Sequence, residues 1–187
     1  MIDSAATLVL MYLIVPLWFA AGVGDWWCHR RTRIESTAGT TESLLHIAMF
    51  MEVGMPVLAA LVLQIDALLF AVFIAAFLAH EWTAWLDIRF ASLRREVSAV
   101  EQQIHSFLEL LPLTAIILLG LAHPRELLAL FGIDASPADF RLGWKQPPLP
   151  AGYLAAVGVG IVLFVIAPYV EELWRCLRYP HRRRGRG

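Results

Sequence analysis

The sequence predicts an all-α integral membrane protein, a helical bundle with four core transmembrane helices and a fifth. Two observations lead to this prediction. The 187-residue chain is 59% hydrophobic, has a mean hydropathy of +0.64, and has only 17% charged residues, whereas soluble domains carry roughly 25%. The apolar residues also fall into long runs close to the about 20 residues that a helix needs to cross a hydrocarbon core.

Five such runs are visible, at about residues 4–24, 43–64, 67–87, 104–122 and 151–170. The first lacks a basic amino-terminal region and a small-residue cleavage motif, so we expect a retained helix and not a signal peptide. The two cysteines lie far apart, which suggests neither a disulfide framework nor a zinc ribbon.

The predicted spans divide the chain into three regions. Residues 1–122 form a four-helix bundle made of two similar hairpins. Residues 123–150 are rich in Pro, Gly and Asp, and we expect an extracytoplasmic loop with a short surface helix at 124–131. Residues 151–187 provide the fifth helix and a basic tail.

Positive charge is distributed unevenly between the two predicted membrane faces. Of the 15 Arg and Lys residues, all but Arg125, Arg141 and Lys145 lie on one side if the chain crosses five times. Cytoplasmic loops are enriched in Arg and Lys, so we expect the amino terminus outside and the tail Arg175–Arg186 inside, in a bacterial inner (plasma) membrane. The net charge of −1 argues against a nucleic-acid partner. Interfacial anchoring is expected for Trp26, Trp27, Trp82 and Trp85.

The first four spans each bring a carboxylate and a histidine to the predicted cytoplasmic side. The pairs are Asp25 with His29, Glu42 with His46, His80 with Asp87, and Glu101 with His105. Residues four apart on a helix differ by about 40° in azimuth and residues seven apart by about 20°, so both members of a pair can face the bundle axis. Eight ionisable groups gathered at one depth are costly without a counter-charge.

The sequence therefore predicts two metal ions held by these eight residues. Imidazole and carboxylate ligands favour Fe, with Zn and Mn as alternatives. Glu52, Glu81 and Glu109 lie near the pairs, and we expect them to orient the imidazoles or to form a proton path. Ser98 and Glu101 also fit a capping box, a competing structural role for Glu101. His123 and His181 lie elsewhere in the chain and are expected to be incidental.

The arrangement resembles that of membrane-bound non-haem di-iron enzymes, the desaturases and hydroxylases, which hold a metal cluster at the cytoplasmic ends of transmembrane helices. The resemblance covers residues 25–105, and the histidine boxes HxxxH and HxxHH of those enzymes are absent. The chain also resembles ferritin-like carboxylate proteins, in which carboxylates and histidines of several helices face one bundle interior. Their motif is Glu-x-x-His, whereas the spacing here is Glu-x-x-x-His. The resemblance implies O2 as oxidant and a lipid-like substrate from the bilayer. A separate electron donor is expected because no nucleotide-binding or CxxC motif is present.

Several functions remain open beside a di-iron oxidoreductase. A Zn- or Mn-dependent hydrolase or lipid head-group transferase would use the same ligands. A non-enzymatic protein could transport or sense a metal, or could bind haem through the pairs His29/His80 and His46/His105. A carboxylate beside each histidine argues against haem, and a cluster at one membrane edge argues against a transporter. The eight groups could also form a solvated polar rim paired with arginines.

Overall fold

The structure, a computed structural model, describes residues 5–133 and 137–184, with side chains up to residue 179. The helices are α1 (Ala5–Thr32), α2 (Thr40–Val62), α3 (Ala67–Ser92), α4 (Ala99–Ala122), α5 (Pro124–Leu130) and α6, which runs through Ala151–Ile161, Val162–Ile166 and Ala167–Arg184. All except α5 are long and apolar enough to cross a membrane. The predicted all-α, multi-pass membrane bundle is therefore confirmed. The side chains of most of the basic tail, His181 among them, lie outside the described residues.

Two of the spanning helices contain a π-helical turn beside a proline. In α1 the turn Leu10–Ile14 precedes Pro16, and in α6 the turn Val162–Ile166 precedes Pro168. Proline has no N–H to donate and its ring collides with the carbonyl four residues earlier. A wider turn relieves that collision, so both helices continue to the end of the bundle that carries the paired residues.

The fifth spanning helix closes a ring. α1 packs against α4 and α6, α2 packs against α3 and α6, and α3 packs against α4. The four helices that carry the predicted pairs thus surround one interior, and α6 lies between α1 and α2. Side chains from all five helices can reach that interior.

The end of the ring away from the paired residues is closed by apolar packing. Ile65, Leu69, Phe70 and Phe73 are buried there, and α5 packs against them through Leu127 and Leu130. Asp66 begins α3, because its Oδ1 accepts a hydrogen bond of 2.8 Å from the backbone N–H of Leu69. This cap and the apolar cluster fix the turn between α2 and α3.

The contact between α1 and α6 depends on a glycine. A Cβ added at Gly160 would lie 2.5 Å from Cε2 of Phe19, whereas a Cβ at Gly158 would meet nothing within 4 Å. We expect Gly160→Val to destabilise the protein by about 1–3 kcal/mol through overpacking, and Gly158→Val to cost clearly less. Thermal unfolding in detergent measures both. An equal loss in the two variants would mean that helix propensity, and not this contact, sets the effect.

Candidate metal centre

Histidines from three helices meet in the interior of the ring. His29 of α1, His46 of α2 and His105 of α4 are buried, as is Asp25 of α1. One donor atom from each of these four residues lies within 4.8 Å of the others. Oδ1 of Asp25 is 2.8 Å from Nε2 of His105 and 3.5 Å from Nε2 of His29. The spacing is that of ligand atoms around a common point.

Three more predicted carboxylates join this cluster. One group of donor atoms within 4.8 Å of one another comes from Glu42, His46 and Asp87, and another from His29, Glu42 and Glu101. Oδ2 of Asp87 is 3.4 Å from Nε2 of His46. Oε1 of Glu101 is 3.3 Å from Nε2 of His29. Seven of the eight predicted ligands are therefore brought together.

The remaining predicted ligand, His80, lies apart from these groups. Its Nδ1 is 3.9 Å from Oε2 of Glu52, whose Oε1 accepts a 2.8 Å hydrogen bond from the hydroxyl of Thr83. His80 and Glu109 line a cavity of about 40 Å³ that Asp25 and His105 also touch. His80 and Glu109 therefore face the space beside the cluster. Glu81 has a buried Oε1 with no hydrogen-bond partner among the described residues.

A carboxylate of α6, the fifth spanning helix, contacts two of the histidines. Glu172 is fully buried, and its two oxygens lie 3.0 Å from Nδ1 of His29 and 3.0 Å from Nδ1 of His46. When each Nδ1 donates to this carboxylate, each Nε2 is left as a lone-pair donor. Carboxylates hold metal-binding imidazoles in this way, fixing both tautomer and orientation.

The rings of His29 and His46 are stacked in parallel. Their centroids are 4.2 Å apart and the planes differ by 3°. Because both Nδ1 atoms bond one carboxylate, both Nε2 atoms face away from it on the same side. Ions bound to these nitrogens would be separated by about the ring spacing, and ions in two-metal enzymes lie about 3.5–4 Å apart.

Several donor atoms of the cluster have no hydrogen-bond partner among the described residues. They are Oδ1 of Asp25, Oδ1 of Asp87, and Nε2 of His29, His46 and His105. An unpaired buried polar group costs about 1–3 kcal/mol. The close approach of Asp25 to His105 is an ion-pair distance without hydrogen-bond geometry. These residues belong to the donor groups described above, so bound cations would give these atoms the partners that they lack.

The guanidinium of Arg95, in the loop after α3, is the cation of the cluster. It bonds Glu42, with Nε–Oε distances of 3.1 and 3.2 Å, and Glu101, with an N–O distance of 3.0 Å. Burial alone would lower the pKa of Arg95, but the bonds to Glu101 and Glu42 outweigh it and raise the pKa above its usual value. Arg95 is thus permanently charged.

With neutral imidazoles, the charges of the cluster do not balance without added cations. Its buried carboxylates are Asp25, Glu42, Asp87, Glu101 and Glu172, and Arg95 neutralises one of the five. Two divalent ions would neutralise the other four while leaving the imidazoles uncharged and able to bind. Buried carboxylates are tolerated when paired with a cation or bound to a metal, so the count favours two ions.

Two cavities approach the cluster. The 40 Å³ cavity has Trp18, Val53 and Leu108 among its walls, so it is largely apolar. A cavity of about 130 Å³ on the other side is lined by Asp87, Arg95 and Glu101. Both cavities touch His105, so the centre can be approached through either of them.

Glu172 and Arg95 were not among the site residues predicted from the sequence. Glu172 has no histidine four or seven residues away, and those were the spacings that identified the other carboxylates. A carboxylate inside a transmembrane helix is nevertheless itself a sign of function. Ser98 Oγ accepts a 3.2 Å bond from the N–H of Glu101, as the capping box predicted. The Glu101 carboxylate turns instead to Arg95 and His29. No family model, curated protein or solved structure matches this chain.

Proposed function

We propose that the protein is a membrane-bound dinuclear metal enzyme. Asp25, His29 and His105, from α1 and α4, hold one ion, and a second set from α2 and α3 holds the other. The second set is Glu42, His46 and Asp87. Glu101 lies within reach of His29 and Glu42, so it can contribute an oxygen to either ion. Glu172 orients the two stacked imidazoles, and Arg95 offsets the remaining negative charge.

The parallel pair His29 and His46 carries this proposal. A single metal ion would be served best by imidazoles that converge on it from different directions. Two rings 4.2 Å apart and 3° from parallel, held by the two oxygens of one carboxylate, instead offer two nitrogen donors side by side. That arrangement supports two neighbouring ions.

The reaction class we propose is the oxidation of a lipid-like substrate by O2 at a di-iron centre. Nitrogen and carboxylate ligands suit iron. One oxygen atom enters a C–H bond of the substrate and the other leaves as water, with two electrons from a separate donor and two protons completing the balance. The apolar cavity beside Asp25 and His105 supports an apolar substrate, and the cavity at Arg95 supports exchange of protons and water. From the distribution of Arg and Lys we place the centre on the cytoplasmic side of a bacterial inner membrane.

The metal content of the purified protein tests this function. In detergent, we expect about two iron ions per chain, no Soret band, and O2 consumption that depends on an added reductant. A protein that binds fewer than one ion per chain after incubation with iron, zinc or manganese would contradict the dinuclear proposal.

A zinc hydrolase is the second candidate, and one observation favours it. Asp25, His29 and His105 offer one carboxylate and two imidazoles whose donor atoms lie within 4.8 Å of one another, and a catalytic zinc ion binds three such N/O ligands and leaves a fourth position for water. Bound zinc would supply an activated water for hydrolysis. Two zinc ions per chain, without iron and without O2 consumption, would favour this candidate.

A further inference from the structure

A larger cavity lies between the metal centre and the opposite end of the ring. It has a volume of about 150 Å³ and is lined along α1 from Thr7 to Trp18. Trp18 and Val53 line this cavity and also the smaller one that touches Asp25 and His105. The two cavities are therefore adjacent at these residues, and together they outline a path toward the metal centre.

The dimensions of the path fit one extended hydrocarbon chain. Eleven residues of α1 separate Thr7 from Trp18, which is about 16 Å at 1.5 Å per residue, and Trp18 to Asp25 adds about 10 Å. Volumes of about 150 and 40 Å³ over this length describe a narrow path.

The wall of the larger cavity is apolar except near the end away from the metals. Lys145 and His123 line that end. A 2.8 Å bond from the backbone N–H of Lys145 to the carbonyl of Val62 fixes the loop. Burial lowers the pKa of both Lys145 and His123. Among the described residues no carboxylate pairs with Lys145, so its ammonium is available to an anion.

We propose that this path binds a single-chain amphiphile whose anionic head, a carboxylate or a phosphate, pairs with Lys145 while its chain extends past Trp18 toward the metal centre. Ligand sites of this kind are apolar with a few polar groups that fix orientation. Which carbon reacts rests on the proposed function: the metals would face a carbon remote from the head. Binding itself does not require the metals.

Quenching of Trp18 fluorescence tests the proposal. Oleate, hexadecyl phosphate and oleyl alcohol are prepared with bromine near the end of the chain remote from the head, and each is titrated into metal-free and metal-loaded protein in detergent. We expect at least one anionic ligand to quench Trp18 and to bind tenfold or more tightly than the alcohol. Trp18→Phe should remove the part of the quenching that comes from Trp18. Val57→Phe, in the cavity wall, should abolish the quenching of Trp18.

The variants at Lys145 separate head recognition from general partitioning. Lys145→Met should weaken the anionic ligand tenfold or more and leave the alcohol within twofold, while Lys145→Arg should restore binding. Arg141→Met, which removes an exposed cation of the same loop, should change nothing. The proposal fails if Lys145→Met binds like the wild type, if Arg141→Met is equally impaired, or if the alcohol binds as tightly as both anions. Because metal-free protein is assayed as well, the outcome of this test does not depend on whether the protein binds metals. Failure of the ligand proposal can therefore be distinguished from failure of the dinuclear proposal.

Discussion

Replacing His46 by Ala is expected to reduce the metal content from two ions to one or none per chain. His46 supplies the nitrogen donor of the second proposed set, and the other members of that set, Glu42 and Asp87, are carboxylates. Glu42 is already bonded to Arg95, which weakens it as a ligand. Metal analysis after incubation with excess iron and gel filtration gives the count.

His80→Ala is the matched control for this measurement. His80 is also a buried histidine of the predicted set, but its ring lies outside the three donor groups. We expect His80→Ala to keep two ions per chain. If His80→Ala loses an ion and His46→Ala does not, the assignment of the two metal positions is wrong.

Glu172→Gln is expected to lower metal affinity by about 10–100-fold, the usual effect of removing a partner that orients a metal-binding histidine. A glutamine side chain has one oxygen that accepts a hydrogen bond and an NH2 group that only donates. It can hold Nδ1–H of one of the two histidines, while the other loses its acceptor. That ring is then free to rotate or to change tautomer. Competition with a chelator of known affinity measures the loss.

The neighbouring residue provides the control for Glu172. Glu171 bonds Arg30, Trp26 and Arg175 and does not contact the histidines. Glu171→Gln removes the same charge one residue away, so we expect metal affinity within about threefold of the wild type. Equal losses in the two variants would show that a general change of charge, and not the orientation of the imidazoles, is responsible.

The spacing of residues along single helices was sufficient to predict most of the cluster. Asp25 and His29, or Glu101 and His105, are one turn apart, and helical geometry alone puts each pair on one face. The lengths of the apolar runs fixed the spans, and the alternation of spans brought the pairs to the same end. These features depend only on residues close together in the chain, so they can be read from a single sequence.

The parts that were not predicted depend on how the helices pack. The position of Glu172 between His29 and His46 follows from α6 closing the ring between α1 and α2, which no spacing within a helix reveals. Arg95 reaches Glu42 because the loop after α3 folds over the cluster. His80, in contrast, is seven residues before Asp87 and so lies about 10 Å further along the helix axis, beside Glu52.

Anomalous diffraction at the iron edge from crystals of the metal-loaded protein tests the dinuclear assignment. We expect two peaks about 4 Å apart, one beside Nε2 of His29 and His105 and the other beside Nε2 of His46. The dinuclear assignment is contradicted by a single peak, or by two peaks separated by much more than the stacking distance of the two imidazoles. It is also contradicted if no peak appears and protonated imidazoles pair directly with the carboxylates.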